Sequence, residues 1–347
     1  MTPDRPAGAA PPPASRRPLR LGFLGLGWIG RHRMQALLAS GLAEAAVIVD
    51  PSPGCMEEAL RLVPDARPAA SLEAMLAAGL DGVVIATPSA LHAAQAIQAL
   101  EHGVAVFCQK PLGRRADEVA AVVAAARAVD RLLAVDLSYR FTTGMQRIRE
   151  LIRAGALGRV YAADLVFHNA YGPDKPWFRD PALSGGGCLM DLGVHLVDLA
   201  LWALDFPRVT GAAARLFAGG APLRERAGQV EDYAVATLDL EGGAVVRLAC
   251  SWNLPAGRDA VIGVDVHGTE GGATMRNIDG SFYDFRAERH QGTRSEPLAA
   301  PPDDWGGRAA VAWAARLAAG ERYDPAAERL VEVAEALDRL YLPASMA

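Results

Sequence analysis

The stretch "GLGWIG", Gly25 to Gly30, constrains the fold of this chain more than any other feature. It fits G-x-G-x-x-G, follows the apolar run "LRLGFL" and opens a helical pattern. In that setting Gly25 permits a tight turn, Gly27 lets the backbone approach a pyrophosphate, and Gly30 lets the helix pack on the strand. A helix N-terminus also favours the negative phosphates. The stretch therefore predicts a dinucleotide site at the end of the first strand.

Asp50 completes this fingerprint and indicates which dinucleotide it binds. It ends the next predicted strand, 20 residues after Gly30. A carboxylate there accepts hydrogen bonds from the ribose hydroxyls of NAD and repels the extra phosphate of NADP. The following residues, 51–53, carry no positive charge. We therefore predict NAD, with NADP less favoured, and we place Trp28 and Ile29 of the loop beside the cofactor.

Residues 19–141 alternate between short apolar runs and helical patterns. This alternation predicts a parallel sheet with helices on both faces, a Rossmann dinucleotide-binding domain. The predicted strands are "LRLGFLGLG", "AAVIVD", "DGVVIATP", "VAVFCQK" and "LLAVDLSY". The predicted helices lie near residues 31–40, 56–63, 72–78, 91–102 and 116–130.

Residues 142–347 have a different order of strand and helix patterns, which predicts an α+β domain built on a mainly antiparallel open sheet. Successive strands without intervening helices are typical of antiparallel pairing. The predicted strands are "VYAADLVFHNA", "YAVATLDL", "AVVRLACSW", "AVIGVDVHG", "ATMRN" and "SFYDF". Helices are predicted at residues 144–154, at "CLMDLGVHLVDLALWAL" and at the C-terminal "AAERLVEVAEALDRLYL", which can pack back on the first domain.

Composition narrows the class of protein. The net charge is only −5 and the arginines are interspersed with acids, so no nucleic-acid partner is expected. No uninterrupted apolar run reaches the roughly 18 residues of a membrane span. The four cysteines form no CxxC pair, which favours a reduced cytoplasmic setting and no metal site.

The first 18 residues, rich in proline and alanine, predict a disordered tail. Within them "SRRPLRL" looks like a twin-arginine export signal. Its apolar core would be the strand and glycine loop of the dinucleotide fold, so cleavage would destroy that unit. Export is therefore the less favoured alternative to a cytoplasmic location.

A second constellation lies in "SGGGCLMDLGVHLVDLALW". Asp191, His195 and Asp198 are spaced i, i+4 and i+7, which on a regular helix places all three on one face. The preceding glycines, residues 185–187, indicate that the backbone approaches a ligand or a neighbouring element closely. The alternative is a structural histidine on a capped helix.

Lysine usage singles out Lys110. Of the 35 lysines and arginines, only Lys110 and Lys175 are lysine. Lysine can release a proton when its surroundings lower its pKa, whereas arginine cannot. Lys110 ends an apolar run, where such chemistry would be useful, although a biased composition could also leave one lysine there by chance.

Taken together, these segments resemble the Gfo/Idh/MocA oxidoreductases, the family of glucose-fructose oxidoreductase and inositol dehydrogenase. The resemblance spans residues 19–340 and rests on "GLGWIG", "ATPSALH", "QKP", "GGGCLMDLGVHLVD" and "HGTEGG". It implies an NAD(P)-dependent dehydrogenase acting on the CH–OH group of a sugar, inositol or related polyol. It also implies a homodimer or homotetramer associated through the second sheet.

The resemblance also assigns roles to individual residues. It places Lys110, Asp191 and His195 in the catalytic group beside the nicotinamide, and Thr87, Pro88 and His92 along the cofactor. One position departs from the family pattern, because the acid that usually precedes the lysine is Gln109. A glutamine beside the cofactor removes an anion that would hold the proton on Lys110, so this departure favours proton release.

These residue types suit an alcohol oxidation. We expect His195 to be the principal acid/base because a histidine titrates near neutral pH. Lys110 would share the proton and stabilise the developing alkoxide or carbonyl oxygen. Asp191 would orient His195 or hold the substrate hydroxyl.

The loop "YGPDKPWFRDP" supplies candidate substrate contacts. Lys175, Trp177 and Arg179 combine an aromatic face with hydrogen-bond donors, which suits a polyol, although Trp177 could instead anchor a surface loop. Tyr139 and Arg140 are weaker candidates for the same role.

Two other functions within the same family are alternatives to a dehydrogenase. One is an enzyme that keeps NAD bound and uses transient oxidation for elimination or glycoside cleavage. The other is a non-catalytic dinucleotide-binding regulator, against which the joint presence of Lys110, Asp191 and His195 argues.

Overall fold

The computed structural model describes residues 17–223 and 228–342. The predicted N-terminal tail falls outside these residues except for Arg17 and Pro18, and residues 343–347 fall outside them as well. Arg17 Nη1 and Nη2 donate to the carboxylate of Asp81 at 2.7 and 2.8 Å. The chain is therefore anchored just before its first strand.

The first sheet has six parallel strands with helices on both faces, as the alternating pattern predicts. Its strands are β1 (Leu19–Leu24), β2 (Ala43–Val49), β3 (Arg67–Pro68), β4 (Gly82–Ile85), β5 (Ala105–Cys108) and β6 (Leu133–Val135), in the order β3-β2-β1-β4-β5-β6. Its helices are α1 (Trp28–Ala39), α2 (Pro53–Leu62), α3 (Leu72–Leu76), α4 (Ser89–Glu101) and α5 (Ala116–Ala128). This is the Rossmann arrangement, in which ligands bind beyond the carboxyl ends of the strands.

The second sheet is open and mainly antiparallel, as predicted. Its nine strands are β7 (Val160–Asn169), β8 (Val209–Ala218), β9 (Ala221–Pro222), β10 (Tyr233–Leu240), β11 (Val245–Ser251), β12 (Ala260–Gly268), β13 (Gly272–Asn277), β14 (Phe285–Gln291) and β15 (Arg294–Ala299). Their order is β15-β14-β13-β12-β7-β11-β10-β8-β9, and only the β7–β11 pair is parallel. The helices of this half are α6 (Thr143–Arg153), α7 (Pro181–Ser184), α8 (Val194–Ala203), α9 (Arg308–Ala318) and α10 (Arg329–Leu340).

Several elements differ from the sequence prediction. The segment "SFYDF" is not a strand: its first four residues form a turn in which Ser281 Oγ donates to Asp284, and β14 begins only at Phe285. Strands β8 and β15 and helix α9 were not predicted. The alanines of β8 have low strand propensity, so its pairing with β10, and not its own sequence, forms the strand.

Helices α9 and α10 return from the second half of the chain to the first sheet. Trp313 of α9 is buried and packs on Phe107 with ring centroids 5.7 Å apart. Gly82 makes room for it, since a Cβ there would lie 2.6 Å from the Trp313 ring. In α10, Asp338 accepts a hydrogen bond from the backbone of Ala116 at 2.9 Å. The two sheets are thereby held around a shared cavity.

One helical stretch, Pro181–Ala203, is long and apolar enough to cross a membrane by length and composition alone. Buried residues make up 94% of its apolar window. Its apolar surface is therefore used within the protein core, where α8 packs against the second sheet.

Candidate active site

A cavity of about 1250 Å³ opens beyond the carboxyl ends of β1, β2, β4, β5 and β6. Both halves of the chain line it. The lining includes Gly25, Gly27, Trp28, Ile29, Asp50, Thr87, Pro88, His92, Gln109, Lys110, Tyr139, Lys175, Trp177, Asp191 and His195. Most residues that the sequence predicted for cofactor, chemistry and substrate thus share one space.

The glycine loop has the geometry that a dinucleotide requires. Gly25 has a φ of +89°, and a Cβ there would lie 2.4 Å from the carbonyl oxygen of Ala86. A Cβ on Gly30 would lie 2.1 Å from the oxygen of Gly25, so Gly30 serves the packing of α1 on the loop. Gly27 differs, because a Cβ there would meet nothing within 4 Å and would project into open space. The residues present therefore fit a pyrophosphate above Gly27 at the start of α1.

Asp50 both lines the cavity and braces the glycine loop. Its Oδ2 accepts from the backbone N–H of Leu26 at 2.6 Å, and its Oδ1 accepts from Ser52 at 2.8 Å. Each carboxylate oxygen has a further lone pair for a ribose hydroxyl. Arg31 also lines this end, but its guanidinium is engaged by Glu58 at 2.6 Å and by the carbonyl oxygen of Leu26 at 2.5 Å.

Lys110 follows β5, after Gln109, and reaches across the cavity to the second half of the chain. Its Nζ donates to both the backbone oxygen and the Oδ1 of Asp191, each at 2.7 Å. An ammonium has three N–H donors, so one remains for a substrate oxygen. Lys110 thus has an anionic neighbour in Asp191, although residue 109 is a glutamine and carries no charge.

Asp191 is held by contacts that the sequence did not reveal. Trp252, which follows β11, donates from its indole Nε1 to Asp191 Oδ2 at 3.0 Å. The carboxylate is thus shared between Trp252 and Lys110, and neither contact is to His195. Its position fits a group that orients Lys110, whereas the sequence analysis expected Asp191 to orient His195 or to hold the substrate hydroxyl.

The segment carrying Asp191 and His195 is not a regular helix. Leu189–Gly193 forms a π-helical turn that leads into α8, an arrangement often found at functional sites. Glu231 supports its start, because Oε1 accepts from the backbone N–H groups of Gly187 and Leu189 at 2.9 and 3.0 Å. A Cβ on Gly187 would lie 1.8 Å from the backbone carbonyl oxygen of Glu231, which explains the glycine there.

His195 is 7% exposed and presents one ring nitrogen to the cavity. Its Nδ1 is buried with no hydrogen-bond partner among the described residues, so Nε2 is the nitrogen available to a substrate. The ring packs against Tyr139 at a centroid distance of 4.8 Å. Burial, assisted by the charges of Lys110 and Arg33, lowers the pKa of His195 well below its ordinary value. This shift favours the neutral ring, which is the form that accepts a proton.

His92 ties two parts of the cofactor wall together. Its two ring nitrogens lie 2.7 Å from the backbone oxygens of Thr87 and Pro111. Burial lowers the pKa of His92. The side chain joins the β4–α4 loop to the peptide that follows Lys110, so it positions that lysine as well as lining the cavity.

Arg33, Asp136 and Gln109 form a buried group that sequence reasoning missed. Arg33 Nε donates to Asp136 Oδ2 at 2.6 Å, and Gln109 Nε2 donates to the same oxygen at 2.5 Å. Arg33 and Asp136 are 6% and 1% exposed, yet both line the cavity. Their positions in the chain differ by 103, so no local pattern signals the pair.

The predicted substrate residues divide into two groups. Lys175 and Trp177 line the cavity, with Trp177 stacked on Phe178 at 3.8 Å, and the ring of Tyr139 forms part of the wall. Among the described lining residues, Arg140 and Arg179 do not occur. Arg179 belongs to the same loop, where it is the exposed last residue of the turn Pro176–Arg179.

Arg140 has a structural partner in place of a substrate. Its Nε donates to Asp198 Oδ2 at 2.8 Å, and its Nη2 donates to Asp198 Oδ1. Burial raises the pKa of the Asp198 carboxyl, and the charge of Arg140 opposes that rise. Asp198 therefore does not share the cavity face with Asp191 and His195, as a regular helix would have required.

Two family descriptions match this chain. The description "Oxidoreductase family, NAD-binding Rossmann fold" matches residues 19–137, and the GFO/IDH/MocA C-terminal domain matches residues 145–274. Together they include the glycine loop, Lys110, Asp191 and His195.

Curated relatives and solved structures agree with this match. D-glucoside 3-dehydrogenase of Escherichia coli (strain K12) is 29% identical over 58% of this chain and 60% of its own length. Levoglucosan dehydrogenase of Pseudarthrobacter phenanthrenivorans is 28% identical over 73% of this chain and 72% of its own. The chain thus spans less than two thirds of the first of these relatives. The structure of GenD2 from gentamicin A biosynthesis, in complex with NAD, has 26% identity, a TM-score of 0.79 and 96% coverage of each chain.

Proposed function

Because this chain belongs to the Gfo/Idh/MocA family of NAD(P)-binding oxidoreductases, we propose that it is an NAD-dependent dehydrogenase of a sugar or polyol. One observation carries the proposal. Lys110, Asp191 and the accessible Nε2 of His195 converge on the cavity that also holds the glycine loop. The relatives, named for the oxidation or reduction of sugar-like compounds, support the same substrate class.

The contacts of His195, Lys110 and Asp191 support a role for each of them in the oxidation of the substrate alcohol. A dinucleotide held at the glycine loop and Asp50 would supply the hydride acceptor in its nicotinamide ring. Neutral His195 accepts the proton of the substrate hydroxyl at Nε2. The free N–H of Lys110 donates to the oxygen that gains negative charge, while Asp191 and Trp252 fix the direction of the ammonium. A charge-assisted hydrogen bond of this kind contributes about 1.5–3 kcal/mol.

The direct test is a panel of sugars, inositols and sugar acids, scored by NADH absorbance with NAD and with NADP. We expect a sustained increase in absorbance for one chemical group of the panel. Sustained release of NADH also separates a dehydrogenase from a relative that keeps NAD bound through elimination or glycoside cleavage. Flat traces with both cofactors would contradict the proposal.

We expect the preference for NAD to depend on the charge of Asp50. Asp50→Asn keeps an acceptor for the backbone N–H of Leu26 and removes the negative charge, whereas Asp50→Ser also shortens the side chain. Both variants should lower the ratio of the NADP dissociation constant to the NAD dissociation constant, because the repulsion of the ribose phosphate of NADP is lost. Fluorescence titration of each dinucleotide measures this ratio. Tighter binding of NADP than NAD by the wild type would refute the interpretation of Asp50.

We also infer a homodimer or homotetramer formed through the second sheet. The strands β10 and β11 alternate buried and exposed residues, so one face packs on the core and the other is exposed in the single chain. Val235 and Val245 on the exposed face are 41% and 36% accessible. Such a partly apolar sheet face suits a second copy of the chain.

A cytoplasmic location fits the position of the first strand. The apolar segment that would act as the core of a twin-arginine signal is β1, which pairs with both β2 and β4. Its removal would leave the Rossmann sheet without a central strand.

A further inference from the structure

Arg33 is a second buried cation in the wall of the cavity, besides Lys110. It lies on the inner side of α1, and its Nη1 is 2.8 Å from His32 Nδ1 while its Nε is held by Asp136. Among the described residues, no acceptor lies within hydrogen-bond distance of its Nη2. That nitrogen is also not among the buried unsatisfied atoms of the structure, so it opens on the cavity. One pair of guanidinium N–H donors is therefore available to a ligand.

Asp136 fixes the guanidinium without using up its donors. Asp136 Oδ2 accepts hydrogen bonds from both Arg33 and Gln109, while Oδ1 is buried and has no hydrogen-bond partner within residues 17–223 and 228–342. This arrangement explains why Gln109 departs from the family pattern. A glutamate at that position would set a second carboxylate against Asp136, whereas glutamine donates a hydrogen bond to it. Gln109, Asp136 and Arg33 are thus one unit that holds a cation at the cavity wall.

The Nη2 of Arg33 belongs to the same end of the cavity as Lys110 and His195. Gln109, which shares Asp136 Oδ2 with Arg33, immediately precedes Lys110. Tyr139 and His195, with ring centroids 4.8 Å apart, line the same space as Arg33. Gly306, which also lines the cavity, packs closely on His32, since a Cβ there would lie 3.1 Å from the His32 ring. An anionic group bound to Arg33 would therefore be a substituent of the molecule that reaches His195.

We propose that Arg33 binds the carboxylate of an acidic sugar or polyol, so that the substrate class is sugar acids and not neutral sugars. A guanidinium that is held at Nε and Nη1 still presents the charged N–H groups of Nη2, and a charge-assisted hydrogen bond from them to a carboxylate is among the strong hydrogen bonds of proteins. The proposal rests on the dehydrogenase function and names its substrate class. The pyrophosphate of the dinucleotide is the other possible oxyanion, but the loop that fits it is Gly25–Gly27.

The test uses matched pairs that differ only in one carboxylate, such as methyl β-D-glucuronide against methyl β-D-glucoside, and D-galacturonate against D-galactose. Full-length enzyme with saturating NAD is assayed for NADH formation, and the dinucleotide Kd is measured separately. We expect the wild type to have the higher kcat/KM for the acidic member. In Arg33→Met the kcat/KM for that member should fall by about 10- to 100-fold, the scale of a lost charged hydrogen bond, while the neutral member and the dinucleotide Kd change little.

Two further variants keep the result interpretable. Arg33→Met leaves Asp136 as an uncompensated buried charge, which can prevent folding. The double variant Arg33→Met/Asp136→Asn removes both charges and keeps an oxygen acceptor for Gln109, so it should show the same loss of acid preference in a folded protein. Arg31→Met is the matched control, because it removes an arginine of the same helix and cavity and should leave the ratio of acidic to neutral kcat/KM unchanged.

The possible outcomes separate this proposal from the function on which it rests. A wild type that prefers the neutral member of each pair, with both members affected equally by Arg33→Met, overturns the acidic substrate class and leaves the dehydrogenase intact. A loss that appears as weaker dinucleotide binding assigns Arg33 to the cofactor phosphate and also overturns it. If no NADH forms with any of the pairs or with the wider panel, the proposed dehydrogenase function itself is wrong.

Discussion

Replacing Lys110 with arginine is expected to lower turnover by about 100-fold or more, the scale of a positioned acid or base. Arginine keeps the positive charge but cannot share a proton. Its larger planar head also places its donors differently from Nζ, which makes two 2.7 Å contacts with Asp191. The measurement is kcat for the wild type, Lys110→Arg and Lys110→Met.

The affinity for NAD provides the internal control in that experiment. Pyrophosphate contacts come from the glycine loop, so the dinucleotide Kd should change much less than kcat in both variants. Near-normal turnover of Lys110→Arg would show that only the charge matters and would remove the proton-sharing role. If Lys110→Met is active but Lys110→Arg is not, the bulk of arginine, and not the loss of proton transfer, is the cause.

Replacing His195 with asparagine is expected to lower kcat/KM for oxidation by about 100- to 10,000-fold. Asparagine still fills much of the site and still hydrogen-bonds, but it does not accept a proton at neutral pH. The loss should appear in kcat as well as in kcat/KM, because proton acceptance belongs to the chemical step. Steady-state kinetics with the best substrate of the panel measures both, with circular dichroism as the control for folding.

The pH profile of the wild type gives an independent readout of the same residue. A general base works only when unprotonated, and the pKa of His195 lies well below its ordinary 6.5 because the ring is buried near two cations. The fall of kcat/KM on the acid side should therefore lie below pH 6.5. An acid limb centred at or above that value, present in the wild type and absent in His195→Asn, would contradict the buried neutral histidine.

Local sequence was sufficient to predict the Rossmann fold, and most of the candidate site residues that it indicated line one cavity. The glycine motif was informative because its glycines meet a local steric demand: the loop leaves no space for a side chain at Gly25 or Gly30. The strand and helix patterns around them depend on neighbours within a few residues. The resemblance then predicted a catalytic role for Lys110, Asp191 and His195, and all three line one cavity.

The partners of these side chains were decided only by tertiary structure. Asp191 contacts Lys110 and Trp252 in place of His195, because a π-helical turn precedes α8 and β11 passes beside it. Arg140 pairs with the buried carboxylate of Asp198 and does not line the cavity within the described part of the chain.

Arg33 and Asp136 show the same limit most clearly. Neither stands in a recognisable motif, yet they meet at 2.6 Å at the cavity wall. Glycine turns and amphipathic helices are specified by steric and hydrophobic constraints among neighbours in the chain, so the sequence by itself determined them. The pairing of buried charges depends on which distant elements pack together and on how much water they exclude, and only the folded protein decides that.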